Sequence, residues 1–445
     1  MRRAGDEPVL YHYSNGRSPE TCLEQRAASW ARCTRPDGML SLRAPQLVRA
    51  ARPLTRVTVV LGGSTTVSAD DSANAVVFDC RAAETFDDLS ALHPRVQKHT
   101  KSAAFRKPGG RVAILRRGPG PNSTAEAAAV SEALVGFTKS LAQEIGGKGA
   151  TANSLCDATP LGQDADACAG PLDWLLSSES CYITGQELRV DAKPAHTGPD
   201  EAAVLITGAA RGIGHATASF YRASQPSRPL VLVDHPSAAE ALSKAAAAIG
   251  GAVALPLDVT DAGAGEAIAA AGHEHNGFSA VLHAAGITRD KTFGKMTAEA
   301  HWDPVIDVNL RAVAQLDAAL LSTQGALAAG GAGFVSFGSI SGIAGNAGQS
   351  NYAASKSGLM GYAKAMGGAH SAHRFAVVAP GFIVTEMTQK IPFVLRTVSS
   401  KLNAFGQGGE PVDVARAVAF LASSAASGLA AGSVLRVCGN CIIGR

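Results

Sequence analysis

Residues 203–224 read AVLITGAARGIGHATASFYRAS, and the fold turns on how the middle of that stretch, TGAARGIG (207–214), is understood. An apolar run ends in a glycine-rich loop, and the loop opens an amphipathic segment: strand, turn and helix in immediate succession. Gly208 permits the tight turn, Gly212 lets backbone come close to a phosphate, and Gly214 lets the helix pack against the sheet. The unpaired N–H groups and positive dipole end of the helix then face the anion. Asp234 follows Gly214 by 20 residues, at the end of the next apolar run, PLVLVD (229–234). A carboxylate there can accept hydrogen bonds from the ribose of a dinucleotide. It would also repel a 2′-phosphate, so NADH is the expected cofactor. Arg211, able to pair with such a phosphate, keeps NADPH open.

Outward from this loop the alternation continues. Apolar runs at 252–258, 279–286, 333–339, 374–380 and 433–439 are separated by helical patterns. Strands alternating with helices build βαβ units and a parallel, doubly wound sheet. The first half repeats the theme less fully, with strand-like runs at 56–64, 74–80, 110–116 and 150–156. Its end, DWLLSSESCYITGQELRVDA (173–192), parallels FLASSAASGLAAGSVLRVCG (420–439). FTKSLAQEIGGKGA (137–150) likewise parallels YAKAMGGAHSAHRF (362–375), with the later copy shortened between helix and strand. These matches indicate an internal duplication. The expected architecture is α/β, with two tandem Rossmann-like doubly wound parallel sheets. The N-terminal one is degenerate, either flavodoxin-like or a truncated Rossmann unit. Residues 1–50 are Arg-rich and carry no assignable pattern; 51–192 form the degenerate domain, 193–203 a polar linker, and 204–445 the intact domain.

A length of 445 residues exceeds one core and fits two domains. The 46% hydrophobic content with only 5% aromatic residues suits helices packed closely on a sheet, not an aromatic β-sandwich. A net charge of +3 is too balanced to imply a nucleic-acid partner. No apolar run reaches the roughly 18 residues of a membrane span. The opening MRRAGDEPVL lacks the apolar core of a secretory signal. None of the eight cysteines falls between 182 and 437, which is unlike a disulfide framework, and a reducing, cytoplasmic setting is expected. Cys438-Gly-Asn-Cys441 has redox spacing, but no second pair completes a zinc site, so it reads as packing of a terminal strand. His273-Glu274-His275 reads as solvated loop, and no metal site is assigned.

The reactive residues lie in SISGIAGNAGQSNYAASKSG (339–358). Tyr352 and Lys356 are one helical turn apart and project from one face. A phenol with a pKa near 10 is a poor acid–base catalyst at neutral pH, and a cation one turn away, helped by a positively charged nicotinamide, is expected to lower it. Ser339, at the end of the preceding strand, is placed to hydrogen-bond a substrate carbonyl.

TGAARGIG, LPLDVTD (255–261), HAAGITRD (283–290), Asn309, Ser339, Tyr352-x-x-x-Lys356 and PGFIVTEMT (380–388) together resemble a short-chain dehydrogenase/reductase. The wording GITRD, GNAGQSNYAASKSG and APGFIVTEMT is closer still to 3-oxoacyl-acyl-carrier-protein reductases, and the degenerate first half resembles their high-molecular-weight, two-domain form. The motifs cover the last 240 residues strongly and the first 190 loosely.

The resemblance implies roles. Tyr352 gives a proton to the carbonyl oxygen as hydride arrives, Lys356 holds the nicotinamide ribose, Ser339 orients the carbonyl, and Asn309 holds a relay water. Ile213, Ala285, Gly286, Pro380 and Gly381 complete the cofactor surface; Asp258 and Val259 flank the adenine, and Ile383 and Thr385 touch the carboxamide. The family's usual Asn-Asn-Ala-Gly is His283-Ala284-Ala285-Gly286 here, which removes a strand-pinning amide.

Substrates implied are 3-oxoacyl thioesters of coenzyme A or acyl carrier protein. Carriers are acidic and dock on basic helices, yet 313–333 and 365–373 contain no Lys or Arg; Arg289, Lys291 and Lys295 are the remaining candidates. Acyl-CoA is therefore expected to serve at least as well. Aligning the repeats sets Ala127 opposite Tyr352 and Ser131 opposite Lys356. The first half is thus expected to supply contact instead of chemistry, and a homodimer to resemble a tetramer with two live sites. Two other functions fit the motifs less closely: another alcohol, steroid or sugar dehydrogenase of the superfamily, and a nucleotide-sensing scaffold.

Overall fold

Every residue of Ala203–Thr207, the run before the glycine loop, is buried, as a parallel strand covered on both faces must be. The computed structural model describes residues 56–60, 74–102, 108–159, 167–191, 202–389 and 400–442, all within the unit Pro45–Arg445. The irregular segment 1–50 and most of the linker, through residue 201, lie outside the described residues.

Two all-parallel sheets organise the chain. The first has five strands, β1 (Arg56–Val60), β2 (Ala75–Cys80), β3 (Arg111–Arg117), β4 (Thr151–Asp157) and β5 (Glu187–Val190), in sequential order. The second holds β6 (Ala203–Thr207), β7 (Leu230–Asp234), β8 (Ala252–Pro256), β9 (Phe278–His283), β10 (Gly333–Phe337), β11 (Arg374–Pro380) and β12 (Val434–Val437). Their order is β8-β7-β6-β9-β10-β11-β12, so the chain reverses direction across the sheet beside β6. That is the switch point where open α/β sheets bind ligands. The sequential order of the first sheet is not the flavodoxin one, in which the second strand lies outside the first.

The two ladders share a register. In the first sheet Ala75 pairs with Arg111 and Arg111 with Thr151; in the second Ala280 pairs with Gly333 and Gly333 with Arg374. Ser154, the fourth residue of β4, pairs with Glu187, the first of β5; Val377 and Val434 stand in the same relation in β11 and β12. The order β1 to β5 therefore parallels β6-β9-β10-β11-β12, without counterparts of β7 and β8.

Helices α1 (Phe86–Thr100) and α2 (Ala125–Gly146) cover one face of the first sheet, where Leu92, Val96, Leu134 and Leu141 pack on Val76, Phe78 and Ile114. Thr85 caps α1 with a complete capping box, and Thr124 caps α2. Helix α3 (Ala169–Leu176) lies in a different cluster, together with α4 (Gly212–Ser224), which follows the glycine loop. After α5 (Ala239–Ile249), α6 (Ala264–His273) and the helical run 298–322 ending in α7 (Ala312–Ser322) come α8 (Ser350–Ala369) and α9 (Pro411–Ala422).

One core cluster runs through both halves. It joins Val77, Leu155, Trp174 and Tyr182 to Ile206, Val335, Val414, Phe420 and Leu435. Trp174 of α3 stacks on Phe420 of α9 with ring centres 4.0 Å apart and planes 6° from parallel. Val190 bridges Leu429 in antiparallel fashion, and Arg416 pairs with Glu179 at 3.0 Å. Gly170 and Gly428 allow closest approach, since a Cβ on either would strike the backbone of Ala425 or Ala167.

Candidate active site

The cofactor cradle is built from three glycines that do different work. A Cβ on Gly214 would lie 2.1 Å from Gly208 O, so this position exists to let α4 meet its own loop. A Cβ on Gly208 would lie 2.7 Å from Ala285 N, which ties the loop to the segment after β9. Gly212, at φ +61°, faces open space with nothing within 4 Å. The backbone there is left open to an approaching phosphate. This open cradle at the start of a 13-residue helix fits a pyrophosphate. Arg211 is the extended residue preceding α4 and is exposed, while Ile213 packs against the core.

Asp234 ends β7. Its Oδ2 accepts from Ala210 N at 2.9 Å and its Oδ1 from His235 N at 2.8 Å, which fixes the carboxylate against the loop. Asp258, beyond β8, accepts from Thr260 N and Oγ1 and pairs with His235 Nε2 at 3.3 Å. Burial works to raise this carboxyl, but those hydrogen bonds and His235 outweigh it and hold it below its ordinary value. Val259 is half-buried beside the core. Thr207 Oγ1 accepts from Ala285 N at 3.1 Å, and Gly286 is exposed toward Asn309 and Lys356.

Ser339 follows β10 and caps the short helix Ile340–Ala344, accepting from Ser341 N at 3.1 Å. Its hydroxyl also acts on the Tyr352 phenol, favouring the ionised form. Lys356 Nζ lies 5.6 Å from the centre of the Tyr352 ring. In the chain by itself Lys356 is not among the groups that shift the phenol. Burial raises Tyr352, Ser339 opposes this, and Asp290 adds to the rise. Burial also lowers the Lys356 ammonium from 10.5 to about 8. Both groups are drawn toward their neutral forms because both have left water.

Asn309 sits in a π-helical turn, Asp307–Arg311. Its Oδ1 accepts from Ile287 N at 2.8 Å, and its Nδ2 donates to Ile287 O and Ser355 Oγ. The side chain thus clamps the loop after β9 to α8. Pro380 ends β11, and Gly381 N donates to Val437 O at 2.9 Å. Ile383 is buried and pairs with Gly409, while Thr385 joins Thr388 in a hydrogen-bonded turn.

Sequence reasoning missed the supporting polar residues. Ser355 donates to Tyr352 O, and Asn351 reaches the carbonyls of Arg289 and His301, fixing where α8 begins. Both lie inside the stretch that carries Tyr352 and Lys356, but nothing in their spacing marks their partners. His283 was expected to lose a strand-pinning bond. Instead its Nε2 meets Asp317 Oδ1 of α7 at 2.7 Å, both side chains fully buried, so the pin is replaced. The thiols of Cys438 and Cys441 are buried and unpaired with one another, and burial pushes the Cys438 thiol up.

The corresponding place in the first half is a small cleft lined by arginines. Counting six residues past the matched ladder positions sets Arg81 where Gly286 stands and Arg117 where Ser339 stands. Arg81 bonds Asp79 and Asp157, and Arg116 is buried with its guanidinium on Ser131 and Glu187.

An open glycine cradle, a fixed carboxylate beyond it and a Ser–Tyr–Lys cluster at the switch point define a dinucleotide-dependent oxidoreductase. Residues 208–439 match the family model described as enoyl-(acyl carrier protein) reductase, and the chain belongs to the short-chain dehydrogenase/reductase family. Within that family it is similar to FabG-type reductases. It is 37% identical to an acetoacetyl-CoA reductase of Synechocystis over 54% of this chain and 97% of that one. It is 35% identical to the 3-oxoacyl-[acyl-carrier-protein] reductase FabG of Thermotoga maritima over the same shares. A solved short-chain dehydrogenase of Brucella melitensis superposes with a TM-score of 0.50 at 28% identity, over 55% of this chain and 98% of that one.

Proposed function

We propose that the chain reduces 3-oxoacyl thioesters to 3-hydroxyacyl thioesters with NADH. The observation that carries this reading is the Ser339–Tyr352–Lys356 cluster, which the segment Ala285–Gly286 joins to the glycine loop: a Cβ on Gly208 would lie 2.7 Å from Ala285 N and one on Gly286 3.3 Å from Lys356 Nζ. The relatives named above act on such thioesters, and that supports the substrate class.

Gly208, Gly212, Gly214, Asp234, Asp258, Gly286 and the segment 380–385 would hold the dinucleotide, which supplies hydride to the carbonyl carbon. Ser339 orients the carbonyl oxygen. Tyr352, kept protonated by burial, gives its proton to that oxygen, so carbonyl, hydride and proton balance as a secondary alcohol. Lys356 supplies positive charge beside the phenolate that remains. Asp234, held by two backbone amides, supports NADH over NADPH.

We read the first half as a degenerate, non-catalytic copy of the second, supported by the matched registers and by the arginines that line its cleft where the second half has Gly286 and Ser339. We further propose a homodimer that resembles a tetramer with two live sites. No described helix is long and apolar enough to cross a membrane. No disulfide joins the six described cysteines, and we infer a cytoplasmic setting.

The test follows NADH oxidation by purified protein with acetoacetyl-CoA, with Tyr352→Phe as control. Oxidation that disappears in the control is expected. NADH binding without turnover of any 3-oxoacyl thioester would sink the reading. Matched acyl-CoA and carrier substrates then decide between thioesters, and CoA is expected to serve at least as well as the carrier.

A further inference from the structure

Tyr182 belongs to the first half, in the turn before β5, yet it closes a turn of the second half. Its hydroxyl donates to Gln407 O at 2.9 Å and accepts from Asn403 Nδ2 at 3.2 Å. Its ring stacks on Phe405 with centres 5.4 Å apart, and the side chain is 1% exposed. Asn403 completes the turn around the phenol. Its Nδ2 reaches Gln407 O and Ser400 O, and its Oδ1 accepts from Phe405 N.

The same turn carries Gly409, which pairs with the segment after β11. Val384 N donates to Gly409 O at 2.8 Å, and Gly409 N to Phe382 O at 3.0 Å. A Cβ on Gly409 would lie 2.6 Å from Tyr182 Cε1 and 2.7 Å from Ile383 Cδ1. Glycine is therefore required for the ring, the turn and Ile383 to pack as three layers. Ile383 and Thr385 are the residues assigned to the nicotinamide carboxamide. The contact runs Tyr182 to Gly409 to Ile383, from the half without chemistry into the half with it.

We propose that Tyr182 is a positioning residue for the reaction: its phenol fixes the turn Asn403–Gly409 and thereby the Phe382–Thr385 segment that seats the nicotinamide. The inference rests on the function proposed above. It also gives the first half a specific task, holding a cofactor-contacting segment in place, in addition to covering apolar surface.

The experiment uses the full chain with Tyr182→Phe, which keeps the ring stack and removes both hydrogen bonds. With acetoacetyl-CoA saturating, kcat/KM for NADH is expected to fall about fivefold, within the range of lost neutral hydrogen bonds. KM for acetoacetyl-CoA is expected to stay within about twofold, because the thioester is not what the segment seats. Amide hydrogen exchange should accelerate by a similar factor, about fivefold, in peptides covering 402–409 and remain as in wild type at 203–214. Tyr182→Leu, which also removes ring volume, should lose more in the same parameter. Wild-type kinetics and exchange in Tyr182→Phe overturn the proposal. So does an effect of Tyr182→Leu with none of Tyr182→Phe, which assigns the residue to packing alone. If the wild type does not reduce acetoacetyl-CoA, the functional reading fails, and exchange at 402–409 alone decides the role of Tyr182.

Discussion

Lys356 Nζ stands 5.6 Å from the centre of the Tyr352 ring, and burial holds the two groups on opposite sides of their usual titration. The phenol keeps its proton, which suits a donor. The ammonium is easier to discharge, with a pKa of about 8. Reductase activity is therefore expected to decline as pH rises through about 8, where the positive charge beside the nascent phenolate is lost. A kcat/KM profile flat to well above that pH would contradict the assignment.

The same shift has a consequence for stability. Below about pH 8 folded and unfolded chains both carry the Lys356 proton, and above 10.5 neither does. Between those limits the folded state is relieved of a buried charge that the unfolded state still carries in water, so folded stability rises with pH. Relative to Lys356→Met, wild type is expected to gain about 3 kcal/mol across this window. Urea melts at both ends of it would test this; a constant difference between the proteins would refute it.

Tyr352→Phe removes the proposed proton donor while leaving the glycine loop untouched. Turnover is expected to drop by about 10²–10⁴-fold, with NADH binding retained. Nicotinamide fluorescence measures the binding separately, and loss of both together would mean that the site had collapsed.

Gly214→Ala and Gly212→Ala separate packing from binding. The first drives a methyl into Gly208 O and is expected to lose both dinucleotide affinity and stability. The second meets open space, and its left-handed backbone costs about 1–2 kcal/mol. Thermal melts should therefore place Gly214→Ala below Gly212→Ala, with NADH titrations showing weakened binding in both; equal melts would contradict the packing role of Gly214.

His283→Ala leaves the fully buried Asp317 carboxylate without its closest partner. A loss of about 2–3 kcal/mol is expected, the range for a hydrogen bond to a charged group. Asp317→Asn should cost less, since an amide can still meet the ring. If His283→Ala melts like wild type, the pair does not pin β9.

Sequence alone fixed the second half closely. Apolar runs placed its strands to within a few residues, and the signal was strongest for the central strands, which are covered on both faces and therefore largely apolar. The cradle was legible for the same local reason: strand, loop and helix are contiguous, so spacing carries geometry. Tyr352 and Lys356 share a helix face by periodicity. Their charge states did not follow from that, because desolvation depends on everything packed around them.

Other features belong to tertiary structure. No local pattern reports that Asn309 grips Ile287, that His283 finds Asp317 on a different helix, or that Tyr182 closes a turn more than 200 residues away. The sequential order of the first sheet and its register match to the second arise from long-range pairing, which the repeats suggested but could not specify. Contiguous residues determine the cradle and the helix that bears the reactive pair. The folded chain decides the partners that tune them, because hydrogen bonds and desolvation act between residues that only folding brings together.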